Sequence, residues 1–330
     1  MLAEITADLY RVRIPLPGLS LGFVNSYIIR TDKRFLIIDP GLYHDKSLDA
    51  MQKALKKLHI SLDETDYFIT HSHGDHIGLV YRLVRSKSIV YINELEAQTI
   101  SKIQTGILSS ETADFLRISG FPEKDPDKII PPRAIREFKT GGSPPFTFVD
   151  DQYVIEEGTF QLLCIKTPGH SKGHICLYEP DKRFLFAGDH LLKEITPIIQ
   201  GRVDGEDPLR NYLASLDKID RLDIKMVLPG HGDIFTDCGG RIVEIRKHHQ
   251  ERNSEILSIL QEKERDIYEI AMMMTWKTES ESWDSMPPTQ QYFAAGEAFS
   301  HLIYLEGERK VSKKIKDGKA LYFLPEQSYA

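Results

Sequence analysis

Apolar and polar positions alternate through the first forty residues and then change period. Leu9–Ile14 steps between apolar and polar, and Asn25–Arg30 and Phe35–Ile38 are short runs bounded by Gly, Pro or charged turns, so residues 6–40 read as strands. Over 46–59 the positions Leu48, Met51, Leu55 and Leu58 fall three and four apart, which predicts a helix. A strand at Tyr67–Thr70, a helix starting at Gly78–Val84 and a strand at Ser88–Ile92 follow. This β-then-α order predicts sheets covered by helices.

Residues 94–145 break the rhythm. Glu94–Ile103 and Ser110–Ile118 have helical spacing, while Pro and Gly from Pro122 to Pro145 interrupt any continuous element. The segment reads as an insertion, either a lid or substrate wall or a packing decoration. Strands return at Tyr153–Glu156, Phe160–Lys166, Ile175–Glu179, Phe184–Ala187 and Met226–Leu228, with a helix at Pro208–Ile219 before the last. From about residue 240 the pattern is helical: Ile242–Gln261, then Asp266–Met274 and Pro288–Leu305. Residues 309–323 read as a hairpin turning at Asp317 and Gly318. Helices closed by a hairpin predict a small winged-helix-like domain over 241–330, after a larger one over 1–240.

Composition narrows the class without naming a chemistry. Hydrophobic content of 41% and charged content of 28% suit a globular chain, and the net charge of -7 offers no global attraction to nucleic acid. Cys164, Cys176 and Cys238 match no zinc ribbon or disulfide framework, and Cys164 and Cys176, in apolar runs, read as buried thiols in a reducing compartment. Met1–Leu9 lacks the pattern of a secretory signal, and no apolar run is long enough to span a membrane. The expected location is cytoplasmic.

The histidines carry the chemistry. Of twelve, seven (His71, His73, His76, His170, His174, His190 and His231) lie in short loops that each follow an expected strand. His71 and His73, two apart in extended chain, leave on the same side. Gly74 is then free to turn through a conformation other residues avoid, aiming Asp75 and His76 at a second point. His170, Asp189 and His231 each follow a glycine at the end of a strand. Imidazole and carboxylate suit zinc, iron and manganese, and no cysteine joins them to single out zinc. His174 reads as a loop hydrogen-bonding residue, His190 as a lining or turn residue, and Asp39 as a residue that orients a ligand or closes a turn. His44, His59, His248 and His249 read as solvated surface residues.

The order His71-x-His73-x-Asp75-His76, then His170, Asp189 and His231, resembles the metallo-β-lactamase-fold hydrolases, most nearly the glyoxalase II type. The C-terminal part, with residues 296–302 and the basic hairpin, resembles the tail of the β-lactamase-like-2 subgroup. The resemblance implies an α/β (α+β) fold, a four-layer αββα sandwich with two divalent metal ions at one edge. It implies that His71, His73 and His170 bind one ion, that Asp75, His76 and His231 bind the other, and that Asp189 bridges them. Zinc is the first expectation, with iron or manganese also accommodated. His73 stands where flavo-diiron reductases carry an acid, and Asp189 is absent from the common secreted β-lactamases, so neither chemistry fits.

The expected reaction is attack by a hydroxide bridging the two ions on a small-molecule ester, thioester or lactone, with Asp75 orienting the nucleophile. Two alternatives stand beside it. One is a ribonuclease or phosphodiesterase using Arg309, Lys310, Lys313, Lys314, Lys316 and Lys319 as phosphate contacts, which the overall charge does not favour. The other is a single-iron dioxygenase of the persulfide type, which the complete second ligand set disfavours. The stripe Tyr292, Phe293, Phe299, Leu302 and Leu305 reads as core or as the surface of a homodimer.

Overall fold

In the computed structural model, residues 1–31, 34–123, 125–129, 144–278 and 280–325 are described. They form two compact units: the described residues of Met1–Gln104, Ala134–Pro197 and Ser215–Ile242, and those of Thr105–Arg133, Ile198–Ala214 and Val243–Ala330. The last change of unit, at Ile242–Val243, lies beside the boundary read at 240, but two earlier segments also join the second unit. The part of the expected insertion over 130–143 lies outside the described residues.

In the first unit, β1 (Leu2–Thr6), β2 (Leu9–Pro15), β3 (Phe23–Arg30), β4 (Phe35–Ile38), β5 (Thr65–Phe68), β6 (Val90–Ile92) and β7 (Phe146–Phe148) form one sheet in that order. Pairing is antiparallel from β1 to β4 and parallel from β4 to β7. Parallel neighbours need crossovers. These carry α1 (Asp45–Lys57) after β4, then α2 (Gly74–Ile77) and α3 (Val80–Leu83) after β5, and α4 (Glu94–Thr105) after β6. A second sheet has the order β12 (Met226–Pro229), β11 (Phe184–Gly188), β10 (Ile175–Glu179), β9 (Phe160–Lys166), β8 (Val154–Glu157).

Burial explains why Phe35–Ile38 is apolar without alternation. Ile37 packs with Val24, Ile28 and Tyr67 against Met51 and Leu55 of α1. Its neighbours Leu36 and Ile38 pack with Tyr27 and Phe68 against Leu162, Leu177 and Phe186 of the second sheet. Both faces of the central strands are therefore covered, as near-continuous apolar runs require. Over the far face of the second sheet lies the end of α7 (Pro208–Asp220). There Lys218 donates to the Lys166 carbonyl at 3.0 Å, and Tyr178 donates to the Asp223 carbonyl at 3.0 Å. The result is the expected mixed α/β architecture of helix, sheet, sheet and helix. The three cysteines are free and buried, and burial pushes each thiol up to about 12.

The second unit has its own core. Phe115 and Leu116 of α5 (Ile107–Ile118) and Ile129 of α6 (Pro126–Ile129) pack with Ile256 of α8 (Cys238–Ile259), Ile270 of α9 (Ile267–Met273) and Phe299 of α10 (Pro288–Gly307). Asp266 starts α9 with a reciprocal capping box to Glu269, satisfying backbone donors at both ends of the box. Of the apolar stripe on α10, Tyr292, Phe299, Leu302 and Leu305 belong to this core, while Phe293 is 37% exposed. Strand β13 (Arg265–Asp266) pairs with β15 (Lys319–Phe323), which pairs with β14 (Ser312–Lys316). Asp317 and Gly318 have φ of 51° and 77°, the left-handed pair that a two-residue turn requires. No helix among the described residues is long and apolar enough to cross a membrane.

One surface assignment is overturned here. His59 is exposed and His44 caps α1, but His249 is buried against Tyr212 and His301. His301 Nδ1 donates to Asn253 Oδ1 at 2.8 Å, which leaves its Nε2 to accept from His249 Nδ1 at 3.3 Å. Burial pushes His249 down to about 3 and His301 well below its usual range. An unfolded histidine titrates near 6.5. Below that value the unfolded chain binds protons that the fold refuses, so stability is complete above about pH 6.5 and falls as pH drops toward 3. Each such histidine contributes a slope of roughly 1.4 kcal/mol per pH unit. Thermal unfolding from pH 7 to 5 checks this: the double variant His249→Gln/His301→Gln should fall less steeply than the parent, and an equal slope would refute it.

Candidate metal centre

The strands of both sheets deliver their C-terminal ends to one edge. Asp39 follows β4, His71 and His73 follow β5, His170 follows β9, Asp189 follows β11 and His231 follows β12. Backbone bonds lock the edge together. Ile175 donates to the Thr70 carbonyl at 3.0 Å, and Asn25 donates to the Gly230 carbonyl at 2.7 Å. Tyr27 donates its hydroxyl to the Pro229 carbonyl at 2.8 Å.

Local chain chemistry aims each ligand candidate. His73 caps α2, and its carbonyl accepts from His76 and Ile77 at 3.0 and 3.1 Å. Asp75 and His76 therefore leave from the first turn of a helix. Gly74 opens that helix without a positive φ, so the expected left-handed turn is replaced by a helix start. Of the glycines before the later ligands, Gly169 and Gly188 do take φ of 145° and 47°. Gly230 does not, and its need is for space: a Cβ there would lie 2.5 Å from Asp189 Oδ1 and 2.8 Å from His76 Cε1.

The side chains converge as two sets. His71 Nε2 and His170 Nε2 each lie 3.0 Å from His73 Nδ1, and Asp189 Oδ2 lies 4.0 and 3.7 Å from the first two. In the other set, His231 Nε2 lies 3.3 Å from both His76 Nε2 and Asp75 Oδ2. Asp189 reaches this set too, with Oδ1 at 3.4 Å from His76 Nε2 and Oδ2 at 3.5 Å from His231 Nε2. Ligand atoms on a tetrahedral ion with bonds near 2.0 Å stand about 3.3 Å apart. All seven expected ligands are brought together with neighbouring donor atoms 3.0 to 4.0 Å apart, a range that brackets that spacing, and the donor set suits a divalent ion. Asp189 Oδ1 strengthens the fit: it is buried and accepts no well-formed hydrogen bond among the described residues.

Ring tautomers agree with that fit. His76 Nδ1 donates to Asp39 Oδ2 at 2.8 Å, and His231 Nδ1 donates to the Phe23 carbonyl at 2.9 Å. His71 Nδ1 donates to Thr70 Oγ1 at 2.9 Å, and that hydroxyl donates to Asp39 Oδ2 at 2.7 Å. In its neutral form each ring thus presents an unprotonated Nε2 inward, as metal-binding histidines do. Asp39 holds φ of 50° to make these contacts and also accepts from the Thr70 amide at 2.9 Å. His174 lies behind the cluster: Nδ1 donates to Thr167 at 2.8 Å, and Nε2 accepts from the Asp189 amide at 3.2 Å. His190 is fully buried with its ring 6.1 Å from that of His174.

Charge in the cluster is set by burial against carboxylates. Burial and the neighbouring rings of His76, His73 and His170 hold His71 well below its usual range. Burial also opposes a charged His76, but Asp189, Asp39 and Asp75 outweigh it and raise that ring well above its usual range. For Asp75, burial is outweighed by His76 and His231, which bring it down to about 2. Burial, with His170, pushes His190 down to about 3. The ionised carboxylates thus draw positive charge into the cluster, a proton on His76 where no ion is held and a cation in its place where one is bound. Sequence reasoning missed two contributors, Thr70 and the buried Glu96; the latter follows Asn93 on the same helical stripe as Ile100.

Comparison with known proteins bears on the same residues. The chain is similar to the beta-lactamase-like protein 2 homolog of Caenorhabditis elegans, at 28% identity over 92% of this chain and 82% of the relative. It is similar to the acyl-coenzyme A thioesterase MBLAC2 of Homo sapiens, at 26% identity over 64% of this chain and 74% of the relative. A crystal structure of a metallo-beta-lactamase family protein from Thermus thermophilus shares the fold, with a TM-score of 0.82 at 24% identity, covering 98% of this chain and 100% of the other. Residues 19–231, which hold every ligand candidate, match the metallo-beta-lactamase superfamily, and to that superfamily the chain belongs.

Proposed function

We propose that this hydrolase uses two divalent ions to cleave a small acyl thioester or a related ester or lactone. The observation that carries the reading is the place of Asp189, whose carboxylate faces ring nitrogens of both histidine sets within 3.4 to 4.0 Å. In this reading His71, His73 and His170 would hold one ion, Asp75, His76 and His231 the other, and Asp189 would join them. Zinc suits a set of imidazoles and carboxylates, as do iron and manganese. Such ions supply an acidified water and an electrophile for the acyl oxygen. Asp75, held ionised at about 2, is suited to orienting that water rather than to taking up its proton. Asp39 and Thr70 keep His76 and His71 in the tautomers that leave Nε2 available. Water adds, the acyl–sulfur bond breaks, and a carboxylic acid and a thiol are released.

Support for a thioester comes from the human relative, which is named an acyl-coenzyme A thioesterase. The basic hairpin lends little to an RNA substrate, because three of its lysines are paired with acids: Lys313 with Glu306 at 2.9 Å, Lys319 with Asp266 at 3.1 Å, and Lys314 with Glu264. We place catalysis in 1–240 and read 241–330 as a winged-helix-like domain, on the order of its helices and the β13–β15–β14 sheet. Metal analysis of the purified protein, followed by a panel of thioester, lactone, phosphodiester and RNA, tests the proposal. Two ions per chain and thioester turnover that chelation abolishes and zinc restores are expected. Full turnover in chelated, metal-free protein would sink it.

A further inference from the structure

We infer that Glu96 is a positioning residue that clamps the two loops carrying His71, His73 and His170 at a fixed separation. The inference rests on the two-ion reading above and names a part of that site which no ligand motif contains. Glu96 lies in the first turn of α4 and is wholly buried. Its Oε2 accepts from the amide of Ser72, between His71 and His73, at 2.7 Å. Its Oε1 accepts from the amide of Gly173, three residues beyond His170, also at 2.7 Å. One carboxylate thus spends each oxygen on a backbone N–H from a different ligand loop, and both bonds are short and charge-assisted.

The neighbourhood supports the clamp. Asn93, just ahead of α4, accepts from the Leu95 amide at 3.0 Å and donates to the Val149 carbonyl at 3.1 Å, which fixes where the helix begins. Gly173 packs so closely on Asn93 that an added Cβ would meet its side-chain oxygen. The loop after β9 therefore has one seat, and Glu96 joins it to the loop after β5. The second set, Asp75, His76 and His231, has its own supports in Asp39 and the Phe23 carbonyl. Loss of the clamp should loosen the His71–His73–His170 set selectively.

The test uses two single-ion backgrounds: His231→Ala keeps the His71–His73–His170 set, and His73→Ala keeps the other. Zinc affinity is read by competition titration with a chromophoric chelator. Glu96→Gln leaves one acceptor oxygen and turns an amide donor toward a backbone donor. It should weaken zinc binding about 10- to 100-fold in the first background and leave the second unchanged. Glu96→Asp keeps the charge but is too short to span both loops, and it should behave like Glu96→Gln. If Glu96→Asp binds zinc as the parent does, or if both backgrounds weaken equally, the clamp is refuted. Should Glu96→Gln fail to fold, Glu96→Asp alone decides. A parent chain that takes up no zinc brings down the two-ion reading, and the clamp with it.

Discussion

Replacing Asp189 with asparagine is expected to reduce bound metal from two ions to about one and to lower kcat/KM by about 10³-fold, or roughly 4 kcal/mol of barrier. The substitution keeps volume and shape. What it removes is the charge and one oxygen of a carboxylate that faces the inward ring nitrogens of both histidine sets, at 3.4 Å from His76 and 3.7 Å from His170. Whichever way the amide turns, an NH₂ donor replaces an acceptor toward one set. Folding should change little, because the fixed contact of this residue with its surroundings is its backbone amide, which donates to His174 and survives the change. Elemental analysis and steady-state kinetics of Asp189→Asn check the prediction. Two tightly held ions with parental turnover would rule out a joining role for this carboxylate.

Much of this centre is legible in the sequence because its ligands follow strand ends in glycine-marked loops. Gly169 and Gly188 need φ values that other residues resist, so the glycine before each ligand is a physical signal. Gly74 misleads for the opposite reason: a helix start turns the chain without any left-handed residue. Glu96 stays hidden because a carboxylate at a helix start is ordinarily a solvated first-turn residue. Only its place on the stripe with Ile100 marks it as buried, and its partners are backbone amides 24 and 77 residues away.

The fold divides the same way. Strands covered on both faces, such as Phe35–Ile38, announce themselves by unbroken apolar runs. Edge strands do not: β1 and β7 are largely exposed or half-buried and lack the pattern of a buried strand. His249 escapes a sequence reading because the buried face of its helix runs through Ile242, Ile245, Ile256 and Ile259, and the histidine falls with Arg252 in the polar gap between them. The grouping of the described residues of Thr105–Arg133, and of Ile198–Ala214, with the C-terminal unit rests on contacts between distant segments. Periodicity, which is a local property, carries no record of them.

Gly230→Ala should be nearly as damaging as the loss of Asp189, although it adds one methyl group and no charge. The added Cβ would stand 2.5 Å from Asp189 Oδ1, 2.8 Å from His76 Cε1 and 3.1 Å from the Gly188 carbonyl carbon. The backbone cannot retreat easily, because the Gly230 amide donates to the Gly188 carbonyl at 2.7 Å and its own carbonyl accepts from Asn25 at 2.7 Å. The strain must then pass to the side chains of Asp189 and His76. A displacement of about 1 Å in a reacting centre costs roughly 10²-fold in rate, so kcat/KM should fall by about that factor or more. Zinc should be lost first from the set containing His76. Gly239→Ala is the matched control: it lies in α8 with nothing within 4 Å of an added Cβ, and its rate and metal content should equal the parent's. If Gly230→Ala keeps both ions and the parental rate, Asp189 and His76 are not held at the separation on which the two-ion reading depends.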